Sequence, residues 1–242
     1  MKIDYTRIYQ KWHSDTPEHW AHMKKYYTRI LQEHLPEDLD SEILDVGCGM
    51  GFALMALKDA GFRKLVGVDS DSGQVESCRR KGLEVEQTED TGAYLRGNAG
   101  RFSLIIALDL VEHIPVSAQL EFINAIYGAL KPGGVFLCTV PNANSVLAGR
   151  YRYICWTHHS AFTEHSLDFL LFNGGFQDIK VCPVELFEKP AKVWLPVGGA
   201  RHWWAFKLVR FFRRLQMMAE LGPQQGRGVP LSLNIMGIAG KS

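Results

Sequence analysis

A short apolar segment that runs directly into three closely spaced glycines is the feature that most constrains this chain. Ile43–Val46 is followed by Gly47, Gly49 and Gly51, and an apolar helical stretch begins at Phe52. Glycine allows a sharp turn and lets a bound molecule approach the backbone, because it has no Cβ. A buried strand, a glycine turn and a helix in this order are typical of nucleotide sites in α/β proteins. The turn alone does not say which ligand is bound.

Strand-like and helix-like segments alternate along the chain. Short apolar runs predict strands, and amphipathic stretches that end near Gly or Pro predict helices. The predicted strands are Ile43–Val46, Lys64–Val68, Leu83–Gln87, Ser103–Leu108, Val135–Val140, Phe176–Cys182 and Leu231–Ile238. The predicted helices between them are Phe52–Ala60, 72–81, Ser117–Leu130 and Ser166–Phe172. This alternation predicts an α/β fold: a Rossmann-like, seven-stranded, mostly parallel sheet with helices on both faces.

Two helical regions accompany this core. Residues 4–34 are rich in Tyr, Trp and His, and they predict an N-terminal helical cap over residues 1–40. Residues 41–184 and 231–242 would form the core domain. About 48 residues separate the last two predicted strands, which is too many for an ordinary connection. We therefore expect 185–230 to be a helical insert or lid.

The segment Trp203–Met218 of this insert predicts a basic and strongly apolar helix. Three uses are open for such a helix. It could lie on a membrane surface with its Lys and Arg side chains at anionic headgroups. It could instead cover the active site, or form the contact of a homodimer.

The composition excludes several classes of protein. The formal net charge is +1, so no strong field attracts nucleic acid, and no nucleic-acid partner is expected. The five cysteines form no C-x-x-C pair, which argues against a zinc ribbon and favours a reducing compartment. No signal peptide is visible, and no apolar run approaches the ~20 residues of a membrane span. We expect a cytoplasmic protein, with contact to the inner face of the membrane if 203–218 binds lipid.

Two carboxylates frame the glycine turn. Asp45 stands just before it, where a negative charge would repel a pyrophosphate but suits a cationic amino-acid group. Asp69 ends the second predicted strand, where an acidic side chain can accept hydrogen bonds from both hydroxyls of a ribose. Asp69, Ser70 or Asp71 could equally cap the helix that follows, and the two roles are compatible.

Four ordered motifs make the pattern specific. They are Ile-Leu-Asp-Val-Gly-Cys-Gly-Met-Gly at 43–51, Val-Gly-Val-Asp at 66–69, Phe-Ser-Leu-Ile-Ile-Ala-Leu-Asp-Leu-Val-Glu-His-Ile-Pro at 102–115 and Leu-Lys-Pro-Gly-Gly-Val-Phe-Leu at 130–137. In this order and spacing they closely resemble the class I S-adenosylmethionine-dependent methyltransferases, among them the quinone-biosynthesis and sugar O-methyltransferases. The resemblance covers roughly residues 40–182 and the last strand. Ser103 departs from it, because the family usually has Asp after Phe.

The resemblance implies a cofactor and a set of residues that would hold it. S-adenosylmethionine would be the cofactor, with its methionine part at the glycine turn, its ribose at Asp69 and its adenine edge at Asp90 and Thr91. Leu108 would lie against it. The implied cofactor-binding residues are Asp45, Gly47, Cys48, Gly49, Gly51, Asp69, Ser70, Asp90, Thr91 and Leu108.

The methyl acceptor is expected beyond the fourth predicted strand. The group Asp109, Glu112 and His113, together with the later His158, resembles the Glu-x-x-Glu-His set of quinone and small-RNA O-methyltransferases. That resemblance implies a divalent metal, Mg²⁺ or Zn²⁺, held by these four side chains. Asp109 stands where those relatives have Glu, and its side chain, which is shorter by one methylene group, could fail to reach the metal ion. In many relatives without metal the Glu-His pair only shapes the pocket.

Without a metal, a histidine is the expected general base, because its pKa near ~6.5 suits proton removal at neutral pH. His158 is the first candidate, since it matches the family's His-x-x-x-Phe-Thr pattern, and His113 and His159 follow. Each of them could instead be structural. Residues 149–153 could line the acceptor pocket or form a solvated loop.

The sequence thus predicts an S-adenosylmethionine-dependent O-methyltransferase. Its acceptor would be a hydroxyl of a small molecule or glycan, such as a sugar, a polysaccharide or a quinone precursor. Two alternatives remain open: N-methylation of a small amine, which needs little help from a base, and a non-catalytic protein that only binds S-adenosylmethionine.

Overall fold

The fold was determined from a computed structural model that describes residues 7, 9, 11–185 and 199–242. The strands are β1 (Glu42–Val46), β2 (Lys64–Asp69), β3 (Val85–Gln87), β4 (Phe102–Leu108), β5 (Leu130–Pro141), β6 (Asp178–Val184) and β7 (Asn234–Gly240). The helices are α1 (Pro17–Leu31), α2 (Phe52–Asp59), α3 (Ser72–Arg80), α4 (Thr91–Gly97), α5 (Val116–Ala129), α6 (Ala148–Tyr153), α7 (Glu164–Asn173), α8 (Gly199–Leu221) and α9 (Pro223–Gly228). Short 3₁₀ helices cover Gln32–His34 and Val111–His113.

The strands form one seven-stranded sheet in the order β3-β2-β1-β4-β5-β7-β6. Neighbours from β3 to β5 are parallel, and β7 runs antiparallel to both β5 and β6. The predicted mostly parallel, Rossmann-like sheet is confirmed. The direction of winding reverses between β1 and β4, and a crevice opens at the carboxyl ends of the strands at such a switch point. The glycine turn after β1 and Asp109 after β4 therefore meet at one edge.

Helices cover both faces of the sheet. One face packs on α5 and α7 through buried side chains such as Phe122, Ile126 and Leu167. The other face packs on α1 and α2 through Leu31 and Leu57. Because both faces are covered, a central strand must be apolar along its whole length. This explains why β4 reads as a continuous apolar run.

The boundaries of a strand and a helix differ clearly from the predicted ones. β5 begins at Leu130 rather than Val135, because Leu130 pairs with Phe102 and the following turn bonds to the chain end: Gly133 N–H donates to the Lys241 carbonyl at 2.8 Å. The Lys-Pro-Gly-Gly segment at 131–134, whose composition predicts the end of a helix, is thus part of β5. Within the predicted helical run 4–34, α1 begins at Pro17, where the Thr16 hydroxyl caps it by accepting from His19 N–H.

The predicted insert 185–230 contains α8 and α9, and its residues 186–198 lie outside the described part of the chain. Of the predicted cap, residues 1–6, 8 and 10 also lie outside it. Among the helices that the structure describes, none is long and apolar enough to cross a bilayer.

We expect Gly51→Ala to lower the free energy of unfolding by about 2–3 kcal/mol. Gly51 has a φ of 83°, and an added Cβ would lie 2.5 Å from Leu83 Cδ1 and 2.9 Å from Cys78 Sγ. Gly100→Ala is the matched control, because its φ of 67° is equally left-handed but nothing lies within 4 Å of the added Cβ. It should cost only about 1 kcal/mol. Urea unfolding measures both, and equal losses would refute the crowding at Gly51.

Candidate active site

A cavity of about 780 Å³ lies at the carboxyl edge of the sheet. Its floor is made by residues that follow the central strands, among them Gly47 after β1, Asp69 and Ser70 at β2, and Leu108 and Asp109 at β4. Ligand sites of proteins usually have volumes of roughly 300–1,000 Å³. The cavity therefore has room for a nucleotide-sized molecule together with a second small molecule.

Asp69 fixes the shape of the glycine turn. Its Oδ2 accepts a hydrogen bond from Gly49 N–H at 2.9 Å, and its Oδ1 accepts one from Asp71 N–H at 2.9 Å. Asp71, not Asp69, caps α3 by accepting from Gly73 and Gln74 N–H. Burial raises the pKa of Asp69, and the two N–H donors oppose that rise. Of the two predicted roles, capping thus belongs to Asp71, and the Asp69 carboxylate faces the cavity.

Asp45 is buried in β1 beneath the turn, with 2% of its surface exposed. Burial first, and the charge of Asp69 second, raise its pKa to about 8. The carboxyl is therefore largely protonated at neutral pH unless a cation lies nearby. It is not one of the residues that line the cavity. A cationic group at the glycine turn would favour its ionised form.

The remaining predicted cofactor residues have different positions. Thr91 and the neighbouring Glu89 line the cavity. Asp90 does not, because its Oδ1 caps α4 by accepting from Ala93 N–H at 2.8 Å. Cys48 is buried among apolar side chains behind the turn, and Gly51 is the N-cap of α2. The adenine edge would accordingly face Glu89 and Thr91.

Three buried side-chain oxygens in the lining have no hydrogen-bond partner among the described residues. They are Gln74 Oε1, Glu112 Oε2 and Asn234 Oδ1. A buried acceptor without a donor costs roughly 1–3 kcal/mol, so such atoms indicate a missing ligand. The amide oxygens of Gln74 and Asn234 need N–H or O–H donors. S-adenosylmethionine carries an ammonium group, an adenine amine and two ribose hydroxyls, and it fits this need.

Asp109 is held in a strained conformation at the centre of the cavity edge. Its φ of 53° is the only positive φ of a non-glycine residue in the described part of the chain. Its Oδ1 accepts hydrogen bonds from Thr139 Oγ1 at 3.0 Å and from Asn234 Nδ2 at 2.8 Å. Burial raises its pKa to about 6. Strain kept in place by such bonds is typical of functional positions.

Two of the three predicted histidines meet in the cavity wall. The rings of His113 and His158 contact edge to face with their centroids 4.5 Å apart. Nδ1 of His158 lies 2.8 Å from the Tyr151 carbonyl oxygen, which can only accept, so Nδ1 carries the proton and Nε2 is the basic atom. Nδ1 of His113 lies 2.7 Å from Thr157 Oγ1.

Burial lowers the pKa of both rings, to about 4 for His113 and below the usual value for His158. Both are therefore neutral at pH 7. His159 is exposed and is not one of the lining residues. Its backbone N–H donates to the Glu112 carbonyl at 2.7 Å, which ties the histidine loop to the end of β4.

The predicted metal set divides into two groups. His113 and His158 lie together, and their third neighbour is Cys155, with the ligand atoms of all three within 4.8 Å of one another. Asp109 and Glu112 line the same cavity but do not belong to this cluster. Burial, and then Asp109, raise the pKa of Glu112 well above its usual value. Two imidazoles and a thiol suit Zn²⁺ and not Mg²⁺.

The N-terminal cap forms the outer wall of the cavity. Tyr9, Trp12, His13, Met23 and Tyr26 are among the lining residues, whereas the described residues of α8 and α9 are not. The cap is attached to the core, because Trp20 packs on Phe52 at 4.3 Å between centroids and Asp15 pairs with Lys81 at 3.0 Å. These cap residues were not predicted as site residues, although the aromatic content of the segment indicated a packed role.

The family comparison agrees with this geometry. A family profile described as a methyltransferase domain matches residues 19–181, which include the glycine turn, Asp69 and both half-buried histidines. The chain belongs to this methyltransferase family. The predicted family membership is confirmed, and S-adenosylmethionine is the cofactor that the family implies.

The individual relatives have low sequence identity to this chain. A ubiquinone biosynthesis O-methyltransferase of Ruegeria pomeroyi is 29% identical over 130 residues, which are 49% of this chain and 51% of that protein. The chain thus spans about half the length of the curated relatives it matches. A methyltransferase of Archaeoglobus fulgidus superposes with a TM-score of 0.68 at 20% identity, covering 98% of this chain and 100% of that one.

A second solved structure is phosphoethanolamine N-methyltransferase 2 of Haemonchus contortus in complex with S-adenosyl-L-methionine. It superposes with a TM-score of 0.58 at 15% identity, and the match covers 90% of this chain and 52% of that one. Identities this low show a shared fold, and function has to be argued from the site itself.

Proposed function

We propose that this chain transfers a methyl group from S-adenosylmethionine to a hydroxyl of a small molecule or glycan. One observation supports this most strongly: a single cavity combines the Asp69-braced glycine turn, three buried side-chain oxygens without a partner among the described residues, and two neutral histidines. The first two suit the donor molecule, and the histidines suit an acceptor that must lose a proton.

The donor would lie along the carboxyl ends of β1, β2 and β4. Asp69 would accept from the ribose hydroxyls, and the ammonium group would lie near the turn, above Asp45. The methyl group would then point towards Asp109 and the histidines. Because methyl transfer is a direct displacement, alignment of the acceptor oxygen with the methyl and sulfur atoms contributes most of the rate.

The state of His158 favours a hydroxyl acceptor over an amine. Its Nδ1–H is fixed by the Tyr151 carbonyl, and its Nε2 is unprotonated at neutral pH. An alcohol needs such a base as it attacks, whereas a neutral amine attacks through its own lone pair. His158 would take the proton, and His113, buried beside it, would hold the ring in place.

A matched acceptor panel tests the proposal. Each hydroxyl compound, from sugars to catechols, is paired with the amine that replaces the same oxygen, and transfer of a labelled methyl group is measured. We expect turnover of at least one hydroxyl compound and at least tenfold less with its amine partner. A panel in which only amines are methylated would overturn the choice of acceptor, and binding without any transfer would favour a non-catalytic role.

Zinc-assisted O-methylation is the second candidate, and the His113–Cys155–His158 cluster is the observation that favours it. Both imidazoles bond through Nδ1 to a neighbouring oxygen, as metal-binding histidines commonly do. A bound zinc would supply a Lewis acid beside the acceptor oxygen. Base catalysis predicts full activity after dialysis against EDTA. The zinc alternative predicts loss of activity, its return with Zn²⁺, and no zinc retained by Cys155→Ala.

A further inference from the structure

α8 presents a large exposed apolar face. Trp204, Leu208, Val209, Phe211 and Phe212 are each more than half exposed. Single exposed apolar side chains are ordinary on a protein surface, but a contiguous group of this size marks a surface that binds something. We therefore expect the exposed face of α8 to bind a partner.

The helix is fixed to the core by its opposite side. Arg210 donates to the Glu185 carboxylate at 2.9 Å. Arg214 donates to the carbonyls of Gly226 and Val229 at 2.6 and 2.8 Å. These bonds hold the helix in one orientation, so the apolar side chains are presented outward by the fold itself.

The apolar surface extends beyond the helix to the turn after β5. A second cavity of about 180 Å³ is lined by Val146 and Leu147 from that turn and by Phe206 and Val209 from α8. Val146 is 57% exposed and Leu147 is 42% exposed. We call Val146, Leu147 and the exposed side chains of α8 the apolar patch. α6 begins directly after Leu147, so the patch is joined to an element that lines the main cavity.

The charge of α8 itself is predominantly positive, although Glu185 also lines the second cavity. α8 contains the cations Arg201, Lys207, Arg210, Arg213 and Arg214, of which Arg210 and Arg214 make the bonds that fix the helix, and its one acidic residue is Glu220. Arg213 lines the second cavity, and its buried Nε has no hydrogen-bond partner in the described part of the chain. A phosphate group would supply the missing acceptor.

The positive charge and the apolar surface of the patch distinguish between two possible partners, a second copy of this chain and a lipid membrane. A second copy docking through a two-fold axis would place this basic face against the same basic face. An anionic lipid bilayer offers an apolar interior for the side chains and negative headgroups for the cations. We propose that the apolar patch binds the surface of an anionic membrane, with α8 lying parallel to the bilayer. This inference does not depend on which acceptor is methylated.

Vesicle flotation with the full chain tests the proposal. We expect the protein to float with vesicles of equal phosphatidylcholine and phosphatidylglycerol, and at least about tenfold less with pure phosphatidylcholine. Leu208→Gln with Phe212→Gln should reduce flotation by about tenfold, because apolar area at the membrane is lost. Phe169→Gln with Phe172→Gln, two exposed phenylalanines of α7, is the matched control and should bind as the wild type does.

A second variant keeps the test independent of folding. Arg201→Glu with Lys207→Glu retains the apolar side chains and reverses two charges, and it should bind anionic vesicles weakly. Absence of flotation with anionic vesicles would overturn the proposal. So would unchanged binding of both variants, or a dimer in light scattering that the glutamine variant dissociates, since a second copy would then cover the patch.

Discussion

Asp69→Ala is expected to weaken binding of S-adenosylmethionine by about 100-fold. Hydrogen bonds from two ribose hydroxyls to one carboxylate contribute about 1.5–3 kcal/mol each, and even the lower value for both sums to roughly 3 kcal/mol. The same carboxylate holds Gly49 N–H at 2.9 Å, so its loss also loosens the turn that would receive the methionine part. Isothermal calorimetry with the purified variant measures the affinity.

Two further variants separate the binding role from general damage. Asp168→Ala removes an exposed carboxylate of α7 that is not part of the cavity lining, and it should leave the affinity unchanged. Asp69→Asn keeps one acceptor oxygen and should lose less affinity than the alanine variant. An unchanged affinity in Asp69→Ala, with the protein folded by circular dichroism, would show that the ribose assignment is wrong.

His158→Ala is expected to reduce kcat by about 10²–10⁴-fold while KM changes little, because a general base contributes in the transition state and not in binding. The measurement needs an acceptor from the hydroxyl panel. His165→Ala is the control, since His165 is an exposed histidine of the same chain, with 79% of its side chain accessible. A kcat within about threefold of the wild type would refute the role of His158.

The pH dependence should follow from the lowered pKa of His158. Burial disfavours the charged ring, so the basic form persists below the usual pKa of ~6.5. We expect kcat/KM of the wild type to be flat from pH 7 upward to about 8 and to fall only as the pH drops below 6.5. In His158→Ala this acid limb should disappear from the residual rate. A wild-type limb above pH 7 would indicate a different base.

Local sequence patterns were sufficient for the sheet and for several residues that line the cavity, among them Gly47, Asp69 and Leu108. The strands of the parallel core read as apolar runs because they are buried on both faces, and the glycines and Asp69 are set within a single βα unit or its neighbour. Asp90 is one exception. Its position in the sequence matches an adenine contact, but the start of α4 uses its carboxylate as a cap.

The contacts in the half of the site that would receive the methyl acceptor could not be predicted from the sequence to the same extent. Asn234 meets Asp109 across 125 residues of chain, and Cys155 joins His113 only because the loop after α6 folds back onto the end of β4. Such contacts depend on how β7 enters the sheet between β5 and β6 and on the path of a loop. The position of β7 in the sheet and the path of the loop produce neither a hydrophobic period nor a motif of fixed spacing in the sequence.

Calorimetric titration of the unmodified chain with S-adenosylmethionine, and with its demethylated product, tests the central claim most directly. The donors of the ligand would satisfy the amide oxygens of Gln74 and Asn234, so we predict saturable one-to-one binding of both molecules that Asp69→Ala weakens. Absence of binding by a folded chain would contradict the assignment of the cavity as a methyl-donor site.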